Sequence, residues 1–398
     1  YHRIYGGHPN WQDELETLIV TLQKKYESRP KALRKLDLDR EGHPDWFSSE
    51  QIAGMMLYVD RFNKDLKGVE EKLPYFESLG VNLLHLMPIF LSPPERNDGG
   101  YAVSDYRKVD PRFGSNKDLK SLASSLHKRD MYLMLDLVVN HTADDQEWAK
   151  AARRGEKQYE NYYYTFEDRT IPDLFERCLP EVFPTNAPGN FTWSEDLNKW
   201  VMTVFNQYQW DLNYTNPRVL TEMIEILLDV ANMGVDILRL DAVAFLWKKM
   251  GTNSQNLEEA HILLKMMKCA TQIVAPGVAF LAEAIVAPHE ILKYFGKSNI
   301  WSDECDIAYN ATLMALMWDA LSTRNSRVLQ NALAHLPHKP EGTTWISYLR
   351  CHDDIGLGYD NADIEHAGYS PGMHRRFIVD FLTGEFEGSF ARGLPFMA

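Results

Sequence analysis

In "VDILRLDAVAFLWKKMG" (235–251) a strongly apolar run carries Arg239 and Asp241 two positions apart. In a parallel strand buried on both faces, alternate residues point to the same side. The two charges therefore share a face on which charge is expensive to bury. Two readings follow. The pair is a structural salt bridge closing a strand end, or it is charge retained for chemistry. The strand alone does not choose, because ion-pair networks also arise without chemistry.

Outward from this stretch, short apolar runs alternate with amphipathic ones. "IAGMMLYVD" (52–60), "VNLLHLMPI" (81–89), "MYLMLDLVVNH" (131–141), "VDILRLD" (235–241) and "VAFLAEA" (278–284) read as strands. "CDIAYN" (305–310) and "TTWISYLRCHDD" (343–354) read as two more. Helical patterns separate them, among them "PRVLTEMIEILLDVANMG" and "SQNLEEAHILLKMMKCATQIVA". Strands alternating with helices give right-handed βαβ units and a parallel sheet. Seven units without a reversal signal predict a (β/α)8 TIM-type barrel, incomplete at seven strands. The first strand is followed by no Gly-x-Gly-x-x-Gly, which weakens a dinucleotide-binding alternative. Asn140, His141, Asp241, Glu283, His352 and Asp353 fall at C-terminal strand ends, the face of a barrel that carries active sites.

The predicted organisation is a helical N-terminal domain over 1–50, split at Pro30, then the barrel over 51–398. A B-type insertion is expected over 142–214 and a second insertion over 355–398, since loops this long in a compact domain are usually functional.

A net charge of −14 argues against nucleic-acid or anionic-membrane partners, which need a cationic surface. Cys178, Cys269, Cys305 and Cys351 are scattered and read as thiols, not as a disulfide frame or zinc site. No run reaches transmembrane length and the N-terminus shows no signal-peptide pattern, which favours a cytoplasmic location.

The strand-end motifs "DLVVNH" (136–141), "RLDAVAF" (239–245), "AEAI" (282–285) and "CHDD" (351–354) resemble, in order, the four signature regions of the α-amylase superfamily. "QWDLN" (209–213) is similar to its fifth. With "NDGGYAVSDYR" (97–107), "HDDIG" and "GSFARGLPF", the chain resembles the amylosucrase and sucrose hydrolase branch. The resemblance implies an eighth barrel unit and a C-terminal β-domain beyond residue 398. It also implies that an arginine pairing with Asp98 lies there.

The resemblance assigns Asp241 as nucleophile, Glu283 as acid/base and Asp353 as the third carboxylate. Retaining glycoside cleavage needs such a carboxyl pair independently of any likeness. Arg239 beside Asp241 is expected to keep it ionised. The apolar setting of Glu283 suits a protonated acid. His141 and His352 read as core histidines or, by resemblance, as partners of glucosyl hydroxyls. Asp98 and Tyr101 belong to a Gly-rich turn; the resemblance makes them the pocket floor and a stacking platform. Phe183, Phe205 and Ile285 read as packing or as pocket walls. Asp354 is implied on the fructosyl side and Arg375 on the acceptor path, where a solvated charge competes.

The implied function is glucosyl transfer from sucrose to an α-1,4-glucan. Sucrose hydrolysis, another α-glucosidase activity and a non-catalytic relative are the alternatives. Sucrose and glucan are the implied partners, with a monomer or homodimer as the assembly. The proposed chemistry uses carboxylates alone, so no cofactor or metal is expected, and the branch it resembles lacks the calcium site of many amylases.

Overall fold

A computed structural model describes residues 1–284, 286, 288–296 and 302–395. The chain divides into two compact units, Tyr1–Glu283 with Asp303–Asp306, and Ala284–Ser302 with Ile307–Ala398.

The first unit is organised by five parallel strands: β1 Gly54–Leu57, β2 Leu83–Leu86, β3 Tyr132–Val138, β4 Ile237–Asp241 and β5 Ala279–Ala282. They pair in the order β1-β2-β3-β4-β5. Every residue of β2, β4 and β5 is buried, as continuous apolar runs in a covered parallel sheet require. Register matters more than composition. His85 pairs with Met134, Asp136 with Arg239, and Arg239 with Leu281. Successive side chains alternate faces, so His85, Asp136, Arg239 and Asp241 fall on one face. Glu283 continues that face two residues past Leu281, its N–H donating to the Leu240 carbonyl at 3.1 Å.

Helices connect the strands. α1 Trp11–Ser28 and α2 Lys31–Glu41 precede the sheet and break at Pro30, as expected. α3 Asn116–His127 starts on a Ser115/Asp118 capping box. α4 Pro217–Ala231 has Pro at its first position and an Asn216 cap. α5 Glu258–Val274 leads to β5. Between α4 and β4, Gly234 adopts φ 101°, and a Cβ there would lie 2.9 Å from the Ala123 Cβ. Only glycine permits both the turn and that approach.

Buried ion pairs tie α2 to the turn before it and to the start of β4. Arg29 grips Asp37 with two bonds of 2.5 and 2.7 Å. Arg40 reaches Asp236 at 2.6 Å, and Asp236 also accepts from the Leu133 N–H at 2.7 Å.

The second unit holds two further parallel strands, β6 Ile307–Tyr309 and β7 Thr344–Ile346. Among the described residues, these and the first five make up the seven parallel strands expected of an incomplete (β/α)8 barrel. α6 Ala311–Thr323 starts on the Asn310 side chain, which accepts from the Leu313 N–H. Its buried Asp319 accepts from the Tyr359 hydroxyl at 2.6 Å and contacts His374. The last strand is shorter than its sequence suggests. After Ile346 the backbone leaves the ladder, because the Trp318 indole takes the Leu349 carbonyl at 2.7 Å. His352 and Asp353 therefore sit on a bend well past β7 rather than on its end. Among the described residues, no helix is long and apolar enough to cross a membrane.

Candidate active site

Arg239 is the centre of the site. Its side chain has 0% exposure, and it reaches three carboxylates. Nη1 donates to Asp136 and, at 3.1 Å, to Asp241 Oδ1. Nη2 lies 2.8 Å from Glu283 Oε1. A rigid planar fork suits this division between carboxylates better than a point charge would. Asp136 is further held by His85 Nε2 at 2.7 Å and by the Tyr101 hydroxyl, which donates at 3.1 Å.

This arrangement corrects one expectation. Arg239 does not hold Asp241 at an ordinary or lowered pKa. Burial and then the Glu283 charge push Asp241 well above the usual carboxylate range, and Arg239 offsets only part of this. The physical reason is the sharing: one guanidinium faces three carboxylates.

The backbone helps to place the Asp241 and Glu283 pair. Ala242 is left-handed, at φ 52° and ψ 35°. Its N–H thereby donates to Glu283 Oε2 at 2.7 Å. One residue after Asp241, the chain itself grips the second carboxyl.

Beside this pair, His141–Ala143 pairs antiparallel with Gln209–Asp211, which brings the end of the 142–214 span against the end of β3. Gln209 Nε2 contacts Asp98 Oδ2 at 3.1 Å and His141 Nε2 at 3.0 Å. His141 also contacts the Tyr101 carbonyl at 3.2 Å. Burial pushes His141 down to about 4, so its ring is neutral at physiological pH. Burial and then Asp136 raise Tyr101 well above its ordinary value, keeping it a phenol. The Phe205 ring packs 5.1 Å from His141, 5.1 Å from Phe245 and 6.2 Å from Phe183.

Adjoining these residues through Asn140 is a buried cation that the sequence reading missed. Lys248 Nζ is 2.7 Å from both Asp211 Oδ1 and Asn140 Oδ1, and it donates to the Phe245 carbonyl. Asn140 in turn donates to Asp211 at 2.9 Å. Asp136 and His85 were missed as well. Each carries the signal that singled out Arg239, a polar residue inside an apolar strand.

Of the anticipated residues, the first unit brings together Asp98, Tyr101, His141, Phe183, Phe205, Arg239, Asp241 and Glu283. Ile285 lies outside the described residues. In the second unit, His352 Nε2 is 3.0 Å from Asp353 Oδ1, and Asp354 is exposed. Arg375 donates to the Tyr359 carbonyl at 2.6 Å and to Asn361 Oδ1 at 2.5 Å, tying down the 357–361 segment.

A parallel sheet with paired carboxyls at its strand ends defines an enzyme-like barrel fold of the kind that handles glycosides. The family described as Alpha amylase, catalytic domain matches residues 43–357, and the chain belongs to that family. A trehalose synthase/amylase TreS of Mycolicibacterium smegmatis is 35% identical over 295 residues, covering 74% of this chain and 49% of its own. A glucosylglycerate phosphorylase of Allomeiothermus silvanus is 34% identical over 276 residues, covering 69% and 46%. The crystal structure of the isomaltulose synthase SmuA from Protaminobacter rubrum superposes with TM-score 0.57 at 26% identity, over 67% of this chain and 50% of that one. The chain spans about half the length of the curated relatives it matches.

Proposed function

We propose that this protein transfers glucosyl groups from an α-glucoside with retention of configuration, through a covalent intermediate on Asp241. The observation that carries this reading is the sharing of the Arg239 guanidinium by Asp241 and Glu283 on one face of the parallel strands. Retaining cleavage needs two carboxyls close enough to act on the same bond from opposite roles. Glu283 gives its proton to the departing glycosidic oxygen as the bond from C1 breaks, and an Asp241 oxygen bonds to C1. Glu283, now ionised, takes a proton from the acceptor hydroxyl, which displaces Asp241 and restores the starting state. Asp353 serves as the third carboxylate, holding the sugar. Asp98, Tyr101, His141, Phe183, Phe205 and His352 bind the glucosyl unit, with Ile285 as a wall. Asp354 and Arg375 contact the leaving group and acceptor. The 142–214 and 355–398 spans act as insertions that shape the pocket.

The donor in this reading is sucrose and the acceptor an α-1,4-glucan. Its support is the combination of "NDGGYAVSDYR", "CHDDIG" and "GSFARGLPF" in one chain. A second reading keeps the glucosyl-enzyme and changes donor and acceptor. It is supported by the identities to a trehalose synthase and a glucosylglycerate phosphorylase, whose names specify other glucosides. Incubating the full-length protein with sucrose alone separates them. Fructose with insoluble α-1,4-glucan supports the first reading, and equimolar glucose and fructose means water is the acceptor. No turnover of sucrose alongside turnover of trehalose, or of glucosylglycerate with phosphate, overturns the sucrose reading.

A further inference from the structure

Cys351, His352 and Asp353 are consecutive, and they place three different metal-binding atoms together. The Cys351 sulfur, a His352 ring nitrogen and an Asp353 carboxylate oxygen all lie within 4.8 Å of one another. Two of the separations are shorter. The Cys351 thiol donates to Asp353 Oδ2 at 3.3 Å, and His352 Nε2 is 3.0 Å from Asp353 Oδ1. We propose that these three side chains form a binding site for one thiophilic divalent transition metal ion, with Zn2+ as the representative ligand.

The geometry suits that ion. Tetrahedral zinc binds sulfur at about 2.3 Å and nitrogen or oxygen at about 2.0–2.2 Å, so neighbouring donors stand roughly 3.3–3.8 Å apart. The two shorter separations, 3.3 and 3.0 Å, lie within a few tenths of an ångström of that range, and all three donors stay within 4.8 Å, so rotation of these side chains can close the set around an ion. The bend is already fixed by two long side chains: Arg350 Nη1 donates to the Asp353 carbonyl at 2.6 Å, and the Trp318 indole holds Leu349. The donors are also reachable. The Asp353 side chain is 38% exposed, His352 18%, and Cys351 is half-buried, so an ion can enter and water can complete the fourth position.

Charge and softness set the selectivity. On binding, the Cys351 thiol releases its proton to solvent, and thiolate plus carboxylate neutralise the ion's two charges. Thiolate with imidazole favours Zn2+ or Co2+ over Mg2+ or Ca2+, which prefer oxygen donors. If Asp353 has the role proposed above, an ion here sequesters it and such metals inhibit reversibly. That consequence rests on the proposed function, whereas the site itself does not.

The test is Co2+ titration of the full-length protein carrying Cys178→Ser and Cys269→Ser, which removes the two exposed thiols. The expected result is one equivalent of Co2+ with a near-ultraviolet thiolate-to-cobalt charge-transfer band, bleached by Zn2+ and unaffected by excess Mg2+. The band should vanish in Cys351→Ser and in Cys351→Ala. It should weaken in His352→Gln, each variant being checked for an unchanged melting temperature. A missing band at saturating Co2+, or a band that survives both Cys351 variants, overturns the proposal. Because no substrate is involved, failure here is distinct from failure of the proposed function.

Discussion

Replacing Asp241 by Asn should stabilise this protein at neutral pH. Its carboxyl is 10% exposed and shares the Arg239 counter-charge with Asp136 and Glu283. Taking charge centres about 4 Å apart for the ion pair and about 5 Å for each carboxylate pair, an effective dielectric of about 20 gives roughly 4 kcal/mol of attraction. The same estimate gives roughly 3 kcal/mol of repulsion from each of the two carboxylates. The balance opposes an ionised Asp241 by about 2 kcal/mol before burial is added. The amide keeps the shape and removes that cost. For a unit of this size the melting temperature should rise by about 4 °C at pH 7. The sign follows from the raised pKa of Asp241. A carboxyl whose folded pKa lies above its unfolded value stabilises fully at low pH, and that contribution is lost as pH rises through the folded pKa. The advantage of Asp241→Asn should therefore vanish below about pH 4, the ordinary carboxylate pKa. Thermal scans of both proteins across pH 4–8 measure it. A neutral or destabilised variant at pH 7, or a gain independent of pH, would refute the electrostatic reasoning.

Three other outcomes follow from the same geometry. Lys248→Met should strip the buried Asp211 of its cation and cost about 3–5 kcal/mol in chemical denaturation, partly restored by adding Asp211→Asn. Gly234→Ala should lower stability by about 1–3 kcal/mol, since it combines a positive φ with a Cβ contact of 2.9 Å; an unchanged denaturation midpoint would contradict the turn's requirement. Glu283→Gln in the full-length protein should fail to turn over a substrate that needs leaving-group protonation, yet accumulate a glucosyl adduct on Asp241 from glucosyl fluoride. Peptide mass spectrometry would locate that adduct, and its appearance elsewhere would remove Asp241 as nucleophile.

The parallel strands were legible because apolar runs and helical periods alternate cleanly, and because Arg239 and Asp241 interrupt one run at a spacing of two. What the sequence could not supply is register. Asp136 sits in "LMLDLVV" and His85 in "LLHLM", each as conspicuous as Arg239. Only the pairing of Asp136 with Arg239 and of His85 with Met134 makes them one network. Without that network Arg239 belongs to Asp241 alone, which is why the expected direction of the Asp241 pKa was wrong. Lys248 posed a different difficulty. It stands beside Lys249, whose side chain is 58% exposed while that of Lys248 is fully buried, and adjacent lysines carry no local mark of which one turns inward. The overlong last strand has a similar cause. The Trp318 bond that takes the Leu349 carbonyl out of the ladder joins residues 31 apart in sequence.

The crowding around Arg239 also bears on rate. A cluster of three carboxylates sharing one guanidinium concentrates negative charge in a buried place. That charge is costly in the resting protein, which is the origin of the raised Asp241 pKa. On the proposed roles, the sugar develops positive charge at C1 beside Asp241 as the glycosidic bond breaks. The same carboxylates that repel one another then attract the reacting centre, and the attraction strengthens as the cation forms. Fixed charges placed in this way favour the transition state over the bound sugar without reorganising. Pairing each carboxylate with its own arginine would stabilise the fold and weaken this difference. The stability gained by Asp241→Asn and the activity it removes are thus two readings of one electrostatic arrangement.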